Sequence, residues 1–571
     1  MDVKKTALKW ALRNAAEHGG KASAAAVLAK VLGENPTLRS MVKEVRLAVE
    51  QVVEEVNALS LEQQRAMLAE LAPDEAVEKK ASAERALPPL PYAAYGKVVT
   101  RLPPEPSGYM HLGHALAGII NEHYARKYGG KLWLRFEDTN PRKVKKIYYD
   151  SFRKGYEWLG IAWDFEKNNS DDMDTYYKYG YNLVQRGLIY ACFCKAEEMH
   201  RQRAEAVGCV HRGLEAVENA EVWLKAVSGS YGEGEVSFRL KGQLSSPNTA
   251  MRDPVLFRIV DHPHPLTGRD YRLWPTYDFA AAVQDALCGV THVLRSSEFA
   301  FRDELQNHIR NLLGLPNPVY VEFSRFEFKG VPTSKRIIRE LIEKKLVEGW
   351  DDPRLTTIEA VRRRGVVPRA IREFTLSYAG ISQAKKEYDW SLLHSINRKL
   401  IDPVSRRLFF VKNPVKVFLR NFSGGRVEIP YHPSSNLGSR VLEAGNTVYI
   451  SGDDATGLAA GDVFRCKLLA NVRVLEAAPS LILGEVVEGR PQEAQKIIQW
   501  VPEDGLETSV YMYGALLKDD NSVDAESVKI VKGLAERAVS TVKPDEVVQF
   551  ERFGFCRRDS AEKLAFIYCH D

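Results

Sequence analysis

Pro-Ser-Gly-Tyr-Met-His-Leu-Gly-His-Ala, residues 106–115, joins a strand-like segment to a helical one. The preceding segment, 97–102, has the apolar and β-branched residues of a strand, and the prolines and Gly108 that follow favour a tight turn. The next segment, 115–128, is rich in Ala, Leu and Ile and predicts a helix. A strand, a glycine turn and a helix N-terminus bind nucleotide phosphates through free backbone N–H groups. The stretch therefore predicts a nucleotide-binding α/β fold.

Two histidines mark the turn. His111 and His114 are three residues apart, so both side chains leave one face of the first helical turn. Gly113 between them lets a flat base or ribose approach the backbone. The alternative is that the two histidines only cap the helix or fill the core.

Composition limits the class of protein. The chain has 571 residues, 45% of them hydrophobic, which is enough for several packed domains. The sequence has no run of about eighteen apolar residues, so it predicts no membrane span. The seven cysteines are scattered apart from one local group, which is typical of a reducing compartment, so we expect a cytoplasmic protein.

The net charge of +5 neither requires nor excludes a nucleic-acid partner, so such a contact would have to use local basic runs. Taken alone, each run is interpreted as a solvated face. The runs are Arg142 to Lys146, Arg362 to Arg364, and Arg406-Arg407 followed by Lys412 and Lys416.

The chain divides into segments of different pattern. We predict a helical domain over 1–72, a linker over 73–95, the first half of a parallel α/β domain over 96–171, an insertion over 172–275, the second α/β half over 276–330, a loop and helical domain over 331–405, and β-barrels over 406–571.

The local cysteine group is a candidate metal site. Cys192-x-Cys194 is followed by Cys209-x-His211 inside the predicted insertion. Three thiolates and one imidazole complete a tetrahedral zinc shell with no open position, so the expected role is structural. Plain buried thiols are the alternative.

A second cluster lies downstream at Gly330-Val-Pro-Thr-Ser-Lys-Arg336. The lysine of a mobile loop can neutralise a phosphate chain as charge develops on it. A surface turn is the alternative for this loop taken alone.

Together, the histidine turn and this loop resemble the signature pair of the class I aminoacyl-tRNA synthetases. The loop departs from the lysine-rich consensus, because Val331, Pro332 and Thr333 occupy the positions of the first lysine, the methionine and the first serine. The role that the resemblance implies for Lys335 is left intact.

Further stretches resemble the glutamyl/glutaminyl branch of this family. They are residues 101–106, 134–141, 274–279, 323–326, 350–354 and 362–365. The resemblance is strong over about 95–400, looser over 406–571 and weak over 1–90. It implies a Rossmann-type catalytic core with an inserted acceptor-end domain, an N-terminal helical domain and a C-terminal β-barrel anticodon-binding region, as in archaeal-type glutamyl-tRNA synthetases.

Arg295 bears on the choice between glutamate and glutamine. Glutamyl enzymes resemble one another in having an arginine at this position, and its guanidinium matches a carboxylate in a bidentate manner. Leaving a buried arginine without its anion costs several kcal/mol, which would disfavour glutamine. The family's pattern further implies that Arg101 binds the second carboxylate, Glu137 the ammonium and Tyr277 the side chain. The structural alternative is an ion pair between Arg295 and Glu298.

The resemblance also implies the reaction and its partners. Glutamate would be activated with ATP and Mg²⁺ and transferred to tRNA(Glu), while charging of tRNA(Gln) stays open. The expected catalytic residues are His111, His114 and Lys335, and the expected ATP-binding residues are Pro104, Gly113, Arg325, Ser334 and Lys335.

Three other functions compete with this one. A glutaminyl-tRNA synthetase is disfavoured by Arg295, and a non-catalytic tRNA-binding paralogue is disfavoured because His111, His114 and Lys335 are all present. A nucleotidyltransferase shares the histidine turn but has no need of the long β region. For residues 1–72, a partner-docking module and a tRNA-stem contact are equally open.

Overall fold

The computed structural model describes residues 3–17, 20–35, 38, 41–71, 87–332, 335–384, 386–490, 494, 496–520 and 522–571. The chain forms two compact units, Met1–Ala86 and Leu87–Asp571. Most of the predicted linker, residues 73–86 of 73–95, lies outside the described residues. None of the described helices is both long and apolar enough to cross a membrane.

The first unit is helical. Its helices are α1 (Val3–Glu17), α2 (Ala24–Glu34), α3 (Val42–Asn57) and α4 (Leu61–Leu71). Small and β-branched residues repeat at helical spacing, so Ala7 and Ala11 of α1 are buried in one core with Val49 and Val56 of α3. The buried Gln64 side chain donates a hydrogen bond of 2.7 Å to the carbonyl of Val56 at the end of α3.

The second unit opens with three parallel strands and two helices. These are β1 (Val99–Leu102), α5 (Leu112–Lys127), β2 (Lys131–Phe136), α6 (Lys146–Trp158) and β3 (Phe165–Asn168). β2 lies between β1 and β3, with Val99 opposite Lys131 and Trp133 opposite Phe165. The predicted strand and the predicted helix on either side of the histidine turn are confirmed.

A four-stranded antiparallel sheet with three helices follows. Its elements are α7 (Met173–Gln185), β4 (Ile189–Cys192), α8 (Ala196–Glu205), α9 (Ala216–Val227), β5 (Ser237–Leu240), β6 (Val255–Ile259) and β7 (Leu273–Pro275). Aromatic side chains fill its core, and Gly180 of α7 packs so closely that an added Cβ would lie 2.5 Å from the ring of Trp223.

The chain then returns to the parallel sheet. It forms α10 (Tyr277–Leu287), β8 (His292–Ser296), α11 (Asp303–Leu313) and β9 (Val319–Phe323). β8 and β9 are parallel, and the N–H of Thr291 donates to the carbonyl of Val99 at 3.0 Å, so β8 lies beside β1. The chain order therefore reverses between β1 and β8, and the crevice at such a reversal is where parallel α/β sheets bind ligands.

A helical part connects this sheet to the C-terminal strands. It contains β10 (Phe326–Phe328), α12 (Lys335–Glu343), α13 (Ile358–Arg363), α14 (Pro368–Phe374), β11 (Lys386–Tyr388) and α15 (Trp390–Ile401). The solvated-face interpretation of residues 362–364 is wrong for two arginines. Arg363 contacts the Asp559 carboxylate at 3.0 and 2.8 Å, and Arg364 lies over the Trp390 ring, where burial lowers its pKa.

The C-terminal part is almost all strand, as predicted. Its elements are β12 (Arg407–Leu408), β13 (Phe410–Lys412), β14 (Val415–Arg420), β15 (Gly425–Pro430), β16 (Ser439–Ala444), β17 (Thr447–Ile450), α16 (Gly452–Ala455), β18 (Val463–Cys466), β19 (Ala470–Ala478), β20 (Leu481–Val487), β21 (Lys496–Ile498), β22 (Val501–Pro502), β23 (Leu506–Tyr513), β24 (Val528–Ala535), β25 (Val547–Phe550), β26 (Gly554–Arg558) and β27 (Ala565–His570). One seven-stranded sheet has the order β12-β25-β26-β27-β23-β24-β13, and a second has the order β21-β18-β19-β20-β14-β17-β22.

Candidate nucleotide and amino-acid site

A cavity of about 780 Å³ lies where β1, β2 and β8 end. Many of the residues predicted from the sequence line it together. They are Pro104, His111, Gly113, His114, Glu137, Tyr277, Arg295 and Arg325. The cavity therefore occupies the crevice at which the order of the parallel strands reverses.

The histidine turn begins α5. The Nδ1 of His111 accepts the N–H of Gly113 at 3.1 Å, and the N–H of His111 donates to Nδ1 of His114 at 3.3 Å. The two rings lie 3.8 Å apart, and an added Cβ at Gly113 would be 3.0 Å from the His111 ring. Both histidines therefore cap the helix, as the alternative interpretation expected. Because both Nδ1 atoms accept, a neutral ring carries its proton on Nε2, where it can be donated to a ligand.

A distant segment holds this turn in place. The N–H of Leu112 donates to the carbonyl of Thr356 at 2.8 Å, and the N–H of Ile358 donates to the carbonyl of Met110 at 2.9 Å. Residues 356–358 therefore form a short antiparallel contact with the turn just before α13 begins. The sequence analysis missed this contact, because nothing in the local pattern links segments so far apart.

A buried carboxylate and three arginines form a network next to Glu137, which lines the cavity. Asp285 of α10 contacts Arg135 at 2.7 Å, and Arg101 and Arg310 at 3.4 Å each. Burial alone would raise the pKa of Asp285, but the three guanidinium groups lower it to about 2. The structure places the Arg101 side chain with Asp285 and the carbonyl of Leu294, rather than among the side chains that line the cavity.

Glu137 follows β2 and faces the cavity. Its backbone N–H donates to the carbonyl of Pro104 at 2.9 Å, which joins the ends of β1 and β2. Its carboxylate accepts from Arg135 at 3.3 Å. Burial raises the pKa of Glu137 to about 7, although Arg135 and Arg101 oppose that rise. A carboxylate in this position can bind a cationic group such as an ammonium once it is ionised.

Arg295, the last residue but one of β8, lines the other side of the cavity. Its Nη1 donates to the Tyr277 hydroxyl and to the Gln306 side chain at 3.2 Å each. Its Nη2 donates to the Phe299 carbonyl at 3.4 Å and forms an ion pair with Asp303. Four contacts from four residues therefore fix the plane of the guanidinium before any ligand is bound.

The proposed alternative partner of Arg295 is wrong. Glu298 lies 3.8 Å from Arg325, and the acid that pairs with Arg295 is Asp303, at the start of α11. Asp303 was not singled out from the sequence. A helix that begins with an acidic residue is common, and nothing local indicates that this one reaches β8.

The second signature segment is described only in part. Ser334, predicted to bind ATP, lies outside the described residues, as does Thr333. Lys335 begins α12, and its side chain also lies outside what the structure describes. Before Thr333 in the chain, Val331 lines the cavity, and the carbonyl of Gly330 accepts the N–H of Leu517 at 3.1 Å.

The predicted metal ligands form one cluster. The sulfur of Cys209 lies 3.6 Å from that of Cys192, 3.4 Å from that of Cys194 and 3.2 Å from Nδ1 of His211. The four ligand atoms all lie within 4.8 Å of one another. Zinc–sulfur bonds of about 2.3 Å in a tetrahedron put sulfur atoms about 3.7 Å apart, so this donor set fits a zinc ion. Gln202 donates to the Cys194 sulfur at 3.6 Å from outside the cluster.

Comparison with known proteins agrees with the geometry. Residues 97–403 match the catalytic domain of the class I tRNA synthetases (E and Q). Residues 405–490 and 497–559 match anticodon-binding domains of the same family. The chain therefore belongs to the class I tRNA synthetases of the glutamate and glutamine family, which confirms the resemblance seen in the sequence.

Its relatives include glutamate–tRNA ligases of archaea. The chain is 42% identical to that of Pyrococcus furiosus over 585 residues, with 100% of each chain covered. It is 40% identical to that of Nitrosopumilus maritimus over 573 residues, with 99% of each covered. Among solved structures, a glutamate tRNA ligase from Elizabethkingia meningosepticum matches with 18% identity and a TM-score of 0.41, over 54% of this chain and 70% of that one.

The ion pairs of Asp285 with its three arginines predict that acid destabilises the fold. The pKa of Asp285 is lower in the folded chain than in the unfolded chain, so its contribution is present above pH about 4 and is lost as the pH falls towards 2. Asp285→Asn should lower the free energy of unfolding by about 3–5 kcal/mol at pH 7, because three buried arginines lose their anion. Urea denaturation followed by tryptophan fluorescence measures this.

The matched control for this prediction is Asp504→Asn. Asp504 is half-exposed and pairs with Arg537 at 3.4 Å, so its loss should cost less than about 1 kcal/mol. Equal effects of the two substitutions would contradict the role given to Asp285.

Proposed function

We propose that this chain activates glutamate with ATP and transfers the glutamyl group to the 3′ end of tRNA(Glu). The observation that carries the proposal is the position of Arg295, which lines the same cavity as the histidine turn. A guanidinium there pairs with an anionic side chain, while the turn and the helix N-terminus attract phosphates. The archaeal relatives that match over their full length are named glutamate–tRNA ligases.

In the first step, the α-carboxylate of glutamate attacks the α-phosphate of ATP. A C–O–P bond forms, the bond to the β-phosphate breaks, and pyrophosphate leaves. No protein nucleophile is needed, so the work is positioning and charge stabilisation. We assign phosphate and ribose contacts to the Nε2–H groups of His111 and His114, ATP contacts to Arg325, and contacts with the β- and γ-phosphates to Lys335. Magnesium enters with ATP as part of the substrate complex.

The amino acid lies between the two sides of the cavity in this proposal. Glu137 binds the ammonium in its ionised form, and Arg295 with Tyr277 binds the side-chain carboxylate. The separation of the acidic from the cationic group orients the substrate, because its ammonium and its side chain carry opposite charges. Arg101 does not line the cavity, so it acts indirectly, through its ion pair with Asp285.

In the second step, a hydroxyl of the terminal tRNA ribose attacks the carbonyl of the mixed anhydride. The new ester bond forms as AMP leaves with the bonding electrons. We assign the acceptor end to the antiparallel domain at 172–275 and the anticodon to the C-terminal sheets, because splayed bases can be read on sheet surfaces.

We also propose that Cys192, Cys194, Cys209 and His211 hold a structural zinc ion. The ion would tie the end of β4 to the turn at 209–213. With four protein ligands it has no open position, so it takes no part in the reaction.

The role of Lys335 predicts a selective loss of activation. Lys335→Ala should lower kcat for glutamate-dependent ATP–pyrophosphate exchange by about 10²–10³, because the charge on the leaving pyrophosphate loses its partner. The KM for glutamate should change little. Lys344→Ala, at an exposed position just after α12, is the control. Unchanged exchange in Lys335→Ala would remove this residue from the mechanism.

The role of Arg295 predicts a loss of discrimination. Arg295→Ala should remove the preference for glutamate over glutamine, measured as the ratio of kcat/KM values for the two amino acids in the exchange reaction. The same assay with tRNA(Glu) and tRNA(Gln) decides which tRNA is charged. A preference that survives the substitution would show that another group selects the side chain.

The zinc site predicts about one zinc ion per chain, measured by mass spectrometry on protein from metal-replete growth. Cys192→Ser should lose the ion, and Cys466→Ser, a buried cysteine of the C-terminal sheets, should keep it. A metal-replete preparation without zinc would leave the four residues as plain buried donors.

A further inference from the structure

Two acidic side chains flank Arg295 behind the cavity wall. Asp303 begins α11 and pairs with Nη2 of Arg295. Glu322 lies on β9, directly opposite Arg295 in the register of β8 and β9. Asp303 also lies near enough to Glu322 to raise the pKa of its carboxyl group. Three charged groups from three elements therefore meet at one point.

This cluster is incompletely satisfied. Arg295 is 6% exposed, and its Nε has no hydrogen-bond partner among the described residues. The buried Oε1 of Glu322 likewise has none within the described part of the chain. A buried donor and a buried acceptor left open in one cluster are costly, which is typical of sites that function rather than only fold.

Two neighbouring carboxyl groups favour a proton on one of them, because a second negative charge beside the first is costly. Burial and the neighbouring Asp303 raise the pKa of Glu322 to about 7, while Arg295 opposes the rise. With that proton, Arg295 and the pair have no net charge. Without it they carry one negative charge, which repels a carboxylate ligand.

Other titratable groups face the pair from the neighbouring elements. Burial raises the pKa of the Tyr277 and Tyr320 hydroxyls, so both stay neutral. The side chains that face the cluster from the neighbouring elements are Arg295 of β8, Tyr320 of β9, Tyr277 and Asp278 of α10, and Asp303, Gln306 and Arg310 of α11, with Arg302 paired to Asp278.

We propose that the two acids beside Arg295, Asp303 and Glu322, determine how strongly it binds an anionic side chain, a proton on Glu322 favouring glutamate and the loss of that proton weakening glutamate binding. The two acids are positioning residues, since they act through Arg295. This inference rests on the proposed function, because it concerns the same amino-acid site.

The test is the pH dependence of the KM for glutamate in ATP–pyrophosphate exchange between pH 6.0 and 8.5. In the wild-type chain, KM should rise above pH about 7, with a slope approaching about tenfold per pH unit, while kcat follows a separate profile. Glu322→Gln stays neutral and can donate its amide N–H to Asp303. In this variant the alkaline rise should be lost, and KM at pH 8.5 should be several-fold below the wild-type value.

Two observations distinguish an effect of Glu322 on KM from the effects of other acidic groups. Glu137 lies on the opposite side of the cavity, and its protonation should raise KM below pH about 7, so Glu322→Gln must keep that acid limb. Glu304 is the exposed residue next to Asp303, and its carboxylate accepts from Asn248. Glu304→Gln therefore removes one negative charge, as Glu322→Gln does, but from outside the cluster. This control should keep the whole wild-type profile.

A wild-type alkaline rise that persists in Glu322→Gln would overturn the inference, and so would a KM raised equally at every pH, which indicates a merely structural role. Should Glu322→Gln not fold, calorimetry of glutamate binding to the wild-type chain decides. In buffers of different ionisation enthalpy at pH 8, proton uptake on binding is expected, and its absence overturns the inference. A wild-type chain that neither binds nor activates glutamate would instead remove the proposed function, and the inference with it.

Discussion

The carboxylate of Asp285 is the interaction on which the site depends. It joins Arg101 of β1, Arg135 of β2 and Arg310 of α11 to α10, so one buried anion ties two strands and two helices together. Three guanidinium groups at this depth require an anion, because an unpaired buried charge costs several kcal/mol. The helices held in this way begin at Tyr277 and Asp303, which puts both N-terminal ends at the cavity.

The network around Asp285 also affects the charge of the cavity. Arg135 is shared between Asp285 and Glu137, so the acid that faces the cavity is oriented by the same network. On the other side, Arg295 is held by contacts on Nη1 and Nη2 before a ligand arrives. Groups fixed in advance need little reorganisation when charge is placed or moved beside them, which is the main source of electrostatic catalysis.

The structure changes the explanation of amino-acid choice. From the sequence alone, Arg295 is expected to be a cation that has no anion unless glutamate is bound, so that glutamine would leave it unpaired. Because Asp303 already pairs with it, the relevant quantity is the charge balance of Arg295 with its two neighbouring acids. That balance depends on partners at the start of a helix and in the middle of a strand, neither of which a local motif indicates.

The range of each interaction explains which features could be predicted from the sequence. The strand, turn and helix around His111 were predictable, because local periodicity and turn residues encode them. The cysteine cluster was predictable from its spacing. The pairing of Arg101 with Asp285, the contact of residues 356–358 with the turn, and the roles of Asp303 and Arg363 were not, because each joins segments that only the tertiary fold brings together.

The most direct test of this account is a crystal structure with a non-hydrolysable glutamyl-adenylate analogue bound. The account predicts the side-chain carboxylate within about 2.7–3.2 Å of the Arg295 guanidinium, the ammonium beside Glu137, and the phosphate beside the turn at His111. An analogue whose side chain lies away from Arg295, or whose phosphate lies away from that turn, would contradict it.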